Sequence, residues 1–274
     1  MRGSQKKIRT GACKTYSNTY FMKVLRELFR TSVFCAGRII YGDRKSSKVV
    51  YYHDVHESGR ESYTGMSTCM ESLRRHVGIV RAEGYTIVPE ITEPYGQIQF
   101  AFDDGFRGIW DNRDYFIGER IYPTVFVAVS LIGRPGYLSE DEIRTLHASG
   151  FNIQSHGVSH TDMTRLDRSD LRKELLQSKS YFENLLGKTV DGVCFPCGYF
   201  SDAVCRESLA AGYTRLYSSI PCSRADRAGS CEQLYGRLFF QSLSPLQARL
   251  ALRGGMKPLR AHYRKIHFRP DRTC

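Results

Sequence analysis

From residue 48 onward the chain repeats one pattern: a short apolar run of strand length, then a longer stretch with helical spacing, then a glycine or polar stop. Such repetition makes neighbouring strands parallel, because each crossover helix returns the chain to the same end of the sheet. Strand-like runs fall at residues 49–53, 98–102, 123–129, 151–154, 190–195, 213–218 and 238–240. Helical patterns fall at 67–83, 108–119, 139–149, 167–186 and 202–211, and Pro245 opens a last one that runs to Gly254. Ser139 and Glu142 read as a capping box, and Gly84, Gly150 and Gly187 as stop signals. Seven or eight strand–helix units predict an α/β fold, a distorted (β/α)7-8 barrel.

In barrels of this kind the reactive groups sit just past the C-terminal ends of the strands. Four segments of this chain do so. Phe102-Asp103-Asp104-Gly105-Phe106 follows the run at 98–102, and two adjacent carboxylates there are costly to bury unless they hold a metal or move a proton. A turn with a helix cap is the structural alternative, since Asp-Gly favours turns. Ser155-His156-Gly157-Val158-Ser159-His160 follows the run at 151–154, and two histidines four apart meet on one side of a helical turn. With Asp104, His156 and His160 make a two-histidine, one-carboxylate set with open positions, suited to zinc or to another divalent ion such as Co, Ni, Fe or Mn. Asp103 is then free to act as the base toward a water.

The third segment, Cys194-Phe195-Pro196-Cys197-Gly198-Tyr199, reads as a turn that walls the pocket, with backbone N–H donors around Pro196, Cys197, Gly198 and Tyr199 aimed at an oxyanion. Its C-x-x-C pair could instead share a structural zinc with Cys222 and Cys231, act in redox chemistry, or be two inert buried thiols. The fourth, Tyr51-Tyr52-His53-Asp54-Val55, opens His53 and Asp54 onto the same face, or leaves His53 as a structural histidine.

The ordered set FDDGF, SHGVSH and FPCGY resembles the polysaccharide deacetylases, the NodB-homology or carbohydrate esterase family four proteins, over residues 48–240. YYHDV is similar to the branch that includes biofilm poly-N-acetylglucosamine deacetylases. The resemblance implies a metal-holding barrel that hydrolyses N-acetyl groups on amino sugars. It assigns Asp103 as base, Asp104, His156 and His160 as metal ligands, and the backbone around Cys197 to the oxyanion. The sequence departs from the family in three places. The family usually carries Tyr at the position of Cys197 and often Arg near Cys194. Its acidic fourth motif is not visible at 213–218. Its late Leu-x-His is absent from 238–241, so the general acid falls to His53, with His267 in the basic tail as the weaker substitute. The alternatives are a barrel that binds carbohydrate without turnover, and an amidase acting on a non-sugar substrate.

Charge divides the chain. Residues 1–30 hold eight Lys or Arg against Glu27 alone, and residues 253–274 hold seven against Asp271 alone, so the net +12 resides in the two ends. The expected organisation is a basic extension with an amphipathic helix at 1–47, the barrel at 48–243, and a helix with a basic tail at 244–274. Residues 1–18 are polar and expected to be loose. Within 19–34, Tyr20, Phe21, Val24, Leu25, Leu28, Phe29 and Val33 share one helical face, with Lys23, Arg26 and Arg30 opposite. Such a helix packs on its own domain or lies on a membrane. No apolar run is long enough for a bilayer span, and none reads as a secretory signal. Nine cysteines without a pairing framework fit reduced thiols. The expected setting is cytoplasmic, at most at the inner membrane face. The expected partners are an acetylated glycan or a lipid- or nucleotide-linked sugar, and an anionic membrane surface. Nucleic acid is a rival partner on the strength of the basic charge, but none is expected, because no RNA or DNA motif lies between the basic ends.

Overall fold

The computed structural model describes residues 12–223 and 231–271, with side chains from Met22 onward except Lys23. The expectation for residues 1–11, and those for the side chains of Tyr20, Phe21 and Lys23, lie outside what is described. The chain opens with one helix, α1 (Ala12–Tyr41), longer at both ends than its periodicity suggested. It continues through β1 (Lys48–Tyr52), β2 (Asp54–His56), β3 (Ser67–Cys69), α2 (Met70–Ala82), β4 (Thr86–Val88), β5 (Gln97–Phe102), α3 (Gly108–Asp111), α4 (Arg113–Gly118) and β6 (Thr124–Val127). Next come α5 (Glu140–Ala148), β7 (Asn152–Ser155), α6 (Arg168–Leu186), β8 (Gly192–Cys194), α7 (Asp202–Ala210), β9 (Arg215–Tyr217), β10 (Leu234–Tyr235) and β11 (Arg237–Phe239). The helices α8 (Pro245–Leu250) and α9 (Arg260–His267) close the described chain.

The strands form one parallel sheet in the order β10-β9-β8-β7-β6-β5-β1-β11, with β4 paired beside β6 along β5 and with β2 and β3 as a separate parallel pair. The sheet curls into a nearly closed barrel. Its end strands β10 and β11 are not laddered to each other; β11 instead meets the turn after β9, where Arg237 N–H donates to Ile220 O at 2.9 Å. The expected distorted (β/α) barrel is the fold observed.

Alternation along each strand builds two apolar layers. Val50 and Tyr52 of β1 turn outward with Ile98, Phe100 and Phe102 of β5, and the helices cover them. Val49 and Tyr51 turn inward with Ala101, Phe126, Cys194 and Tyr217, and these fill the lumen. Each fully buried large side chain contributes about 1.5–3 kcal/mol. Local signals end the helices as expected. Ser139 and Glu142 form the reciprocal cap of α5. Asp167 caps α6 by accepting from Asp170 N–H, and Gly187 closes it in the left-handed conformation at φ 66°.

Three boundaries differ from the periodicity. The helix expected from residue 67 starts at Met70, because Ser67–Cys69 pairs with β2 first. The helix expected over 108–119 is two short helices broken at Asn112, whose side chain bonds Gly108 O at 2.8 Å. The last helical pattern becomes α8 followed by a π-type turn at 251–255, where Gly254 has φ 92°.

Candidate active site

At the C-terminal end of β5 the backbone makes a sharp turn, with Asp104 at φ 70° and Gly105 at φ 78°. Asp103 N–H still bonds Tyr52 O, but the turn frees both carboxylates from the ladder. After β7, His156 N–H bonds Val127 O at 2.8 Å, and the chain then leaves the sheet through Gly157 at φ 80°. His156 and His160 therefore stand on a loop, not on the helical turn that their spacing suggested. Glu174 of α6 holds that loop by accepting from the N–H groups of Val158 and Ser159, both at 2.7 Å. Of the five non-glycine residues at positive φ among the described residues, Asp104, His160 and Cys197 are at this site. Backbone strain of this kind collects where function over-determines the local geometry.

The three expected ligands converge. Asp104 Oδ1 lies 3.2 Å from His156 Nε2 and 2.8 Å from His160 Nε2. All three donor atoms fall within 4.8 Å of one another. His156 Nδ1 lies 2.7 Å from Cys194 O, so it carries the proton and leaves Nε2 as a lone pair toward Asp104. Burial would raise the Asp104 carboxyl, but the imidazoles of His156 and His160 beside it hold it far below the usual carboxylate range. The hydrogen bond to Asp104 raises His160. An oxygen and two imidazole nitrogens so placed fit a divalent transition ion. A second triple, Asp103, His156 and Cys194, is equally close. It fits an ion poorly, because Asp103 is already engaged and burial pushes the Cys194 thiol well above its usual range.

Asp103 is engaged by Arg237, a residue the sequence reading missed. The guanidinium meets both carboxylate oxygens, at 2.6 and 2.9 Å, and donates also to Ser218 O at 3.1 Å. It is 1% exposed and lies over the Tyr51 ring, 4.2 Å from its centroid. Burial alone would raise the Asp103 carboxyl. The charge and hydrogen bonds of Arg237 overcome that and lower it. One signal was available in the sequence: a lone arginine in the apolar run 234–240 needs a buried carboxylate partner.

His53 sits at the same mouth, close enough to Asp103 to favour its charge. Its Nδ1 donates to Gln241 Oε1 at 2.9 Å, which leaves Nε2 as the other ring nitrogen. Asp54 does not join the set; it is buried beside α3 and accepts from Tyr63 N–H. The loop after β8 turns through Cys197 at φ 56° and Gly198 at φ 69°. Pro196 has no N–H, and those of Gly198 and Tyr199 are used within the turn by Phe195 O and Pro196 O. Cys197 N–H is the donor that the turn leaves. His267 also reaches this loop from α9. Its Nδ1 lies 3.1 Å from Cys197 O and its ring packs against those of Tyr199 and Tyr263. The four-cysteine zinc site does not form among the described residues, where the clusters with metal-ligand spacing leave out Cys197, Cys222 and Cys231.

The family model described as polysaccharide deacetylase matches residues 92–216, which span the two carboxylates, both histidines and the loop after β8. The fold and the resemblance are those of the polysaccharide deacetylases. The protein YxkH of Bacillus subtilis (strain 168), whose name places it among the polysaccharide deacetylases, is 24% identical over 120 residues. That match covers 42% of each chain, so this chain spans under half the length of its curated relative. A polysaccharide deacetylase from Bacillus cereus superposes with a TM-score of 0.65 at 20% identity, covering 78% of this chain and 70% of that one. The Streptococcus pyogenes deacetylase PplD, solved with acetate, gives 0.65 at 16% identity over 76% and 98% of the two chains. The arginine that the resemblance implies near Cys194 is absent from residues 190–200. Arg237 of β11 stands beside Asp103.

Proposed function

We propose that the chain is a metal-dependent hydrolase that removes N-acetyl groups from amino sugars of a polysaccharide or glycoconjugate precursor. The observation that carries this reading is the convergence of Asp104, His156 and His160 with Asp103 held beside them. The resemblance to polysaccharide deacetylases supports the same substrate class. A divalent ion such as zinc, held by those three side chains, would supply Lewis acidity to the acetyl carbonyl and acidify a water.

The remaining work belongs to the chain's own groups. Asp103, kept ionised by Arg237, takes a proton from the attacking water. The new C–O bond makes the carbonyl carbon tetrahedral, and Cys197 N–H donates to its oxyanion. His53, anchored through Nδ1–H to Gln241 Oε1, takes part as the imidazolium and delivers its Nε2 proton to the leaving nitrogen, ending as the neutral imidazole. The C–N bond breaks, and acetate and a free amino sugar depart. His267 holds the Cys197 carbonyl and so fixes the turn that presents the donor.

The test is acetate release from acetylated chitooligosaccharides by protein of measured metal content. Asp103→Asn should keep its metal and lose about 10³-fold in kcat/KM, the scale of a lost general base. Full turnover by that variant with metal bound would remove Asp103 as the base. Metal binding without acetate release by the native chain would leave a carbohydrate-binding barrel.

A further inference from the structure

We propose that the outward face of α1 docks the protein on an anionic lipid surface. The helix has two faces with different fates. Toward the barrel it buries Phe34 and Gly37, and Arg30 reaches Ser242 O and Gln247 Oε1, both at 2.8 Å. The fit is close: a Cβ at residue 37 would stand 2.5 Å from Gly255 O. The other face carries Leu25, Leu28, Phe29, Ala36, Ile39 and Ile40, all exposed and spaced as one stripe. Phe29 is 73% and Ile39 82% exposed. Sixteen large hydrophobic side chains are exposed among the described residues, and eight stand on this one helix, so they form a patch and not a scatter.

Charge selects the occupant. From Met22 to Tyr41 the only acid is Glu27, and it is paired with Arg30 at 2.6 Å. Arg26 and Arg38 are exposed beside the stripe, and the sequence before it is rich in Lys and Arg. An apolar stripe with a basic rim complements anionic headgroups. A second copy of a chain with net charge +12 would bring like charges together on that face. No described helix is long and apolar enough to cross a membrane. Thirty residues make a rod of about 45 Å that can lie in the interface. The anchor at Ser242 is the neighbour of Gln241, which holds His53.

The test is co-sedimentation of the full chain with phosphatidylcholine vesicles, with and without phosphatidylglycerol. Binding is expected to the anionic vesicles alone and to weaken with salt. Phe29→Glu and Ile40→Glu should each lower it roughly tenfold, while Phe29→Trp keeps it. Unchanged thermal melts of these variants show that the barrel is intact. The proposal is overturned by equal binding to neutral vesicles. Unchanged binding of both Glu variants, or none by the native chain, also overturns it. So does a dimer in light scattering that Phe29→Glu splits. Vesicle binding and acetate release are separate readouts, so neither reading falls with the other.

Discussion

Asp103 and Arg237 are 134 residues apart in sequence and share two hydrogen bonds inside the barrel lumen. Because the folded pair lowers the Asp103 pKa, it contributes stability above the ordinary carboxylate value of about 3.9 and loses it as pH falls through the lower folded value. On the proposed reading, the same shift keeps Asp103 ionised as the base. Arg237→Gln removes the lowering partner and leaves burial to act alone, so the Asp103 pKa rises. We expect the acidic limb of the kcat/KM profile to move to higher pH, and a stability loss of about 3–5 kcal/mol from the uncompensated buried carboxylate. Arg237→Lys should restore part of the limb, since a point charge replaces the two-pronged contact. A pH–rate profile and a denaturant melt read both effects. An unmoved limb in Arg237→Gln would detach the arginine from the base.

Among elements, α6 has the larger share in building the site. Its Glu174 carboxylate satisfies two consecutive N–H groups of the histidine loop, so the position of His160 depends on a helix that supplies no ligand. Glu174→Ala should lower metal affinity about 10- to 100-fold, as loss of an outer support does, with little change in the fold. Competition with a chelating dye measures it, and native affinity in the variant would exclude the support. Element scale is also where the sequence was most legible. The central strands read clearly because both of their faces are buried, which gives unbroken apolar runs. β4 and β10 were missed because three and two residues carry no periodicity. The apolar stripe of α1 was visible, but not which way it faced. Val24, Leu25, Leu28 and Phe29 were expected to pack on the barrel or to lie on a membrane, and the face that packs on the barrel is that of Phe34 and Gly37.

At the scale of the whole molecule, the residues closest in sequence were the easiest to find. Asp103 with Asp104, and His156 with His160, each announce themselves within a few positions. Arg237 did not, because only barrel closure brings it beside Asp103, and His267 stood out only as a histidine in the tail until the return of α9 set it against the loop after β8. Metal and fold should be linked at this scale as well. An ion that binds only the folded barrel stabilises it by about 2.7 kcal/mol at a hundredfold excess over Kd. We expect Tm to rise with added zinc, to fall with EDTA, and to lose both responses in Asp104→Ala. Equal responses in that variant would place the ion elsewhere.

The contact of β11 with the turn after β9 has a consequence for how this molecule tolerates motion. One guanidinium both holds that turn, through Ser218 O, and biases the neighbouring carboxylate. Any opening that draws the arginine away leaves burial alone to raise the Asp103 pKa. Mechanical integrity and the charge of that carboxylate are then tied to one side chain.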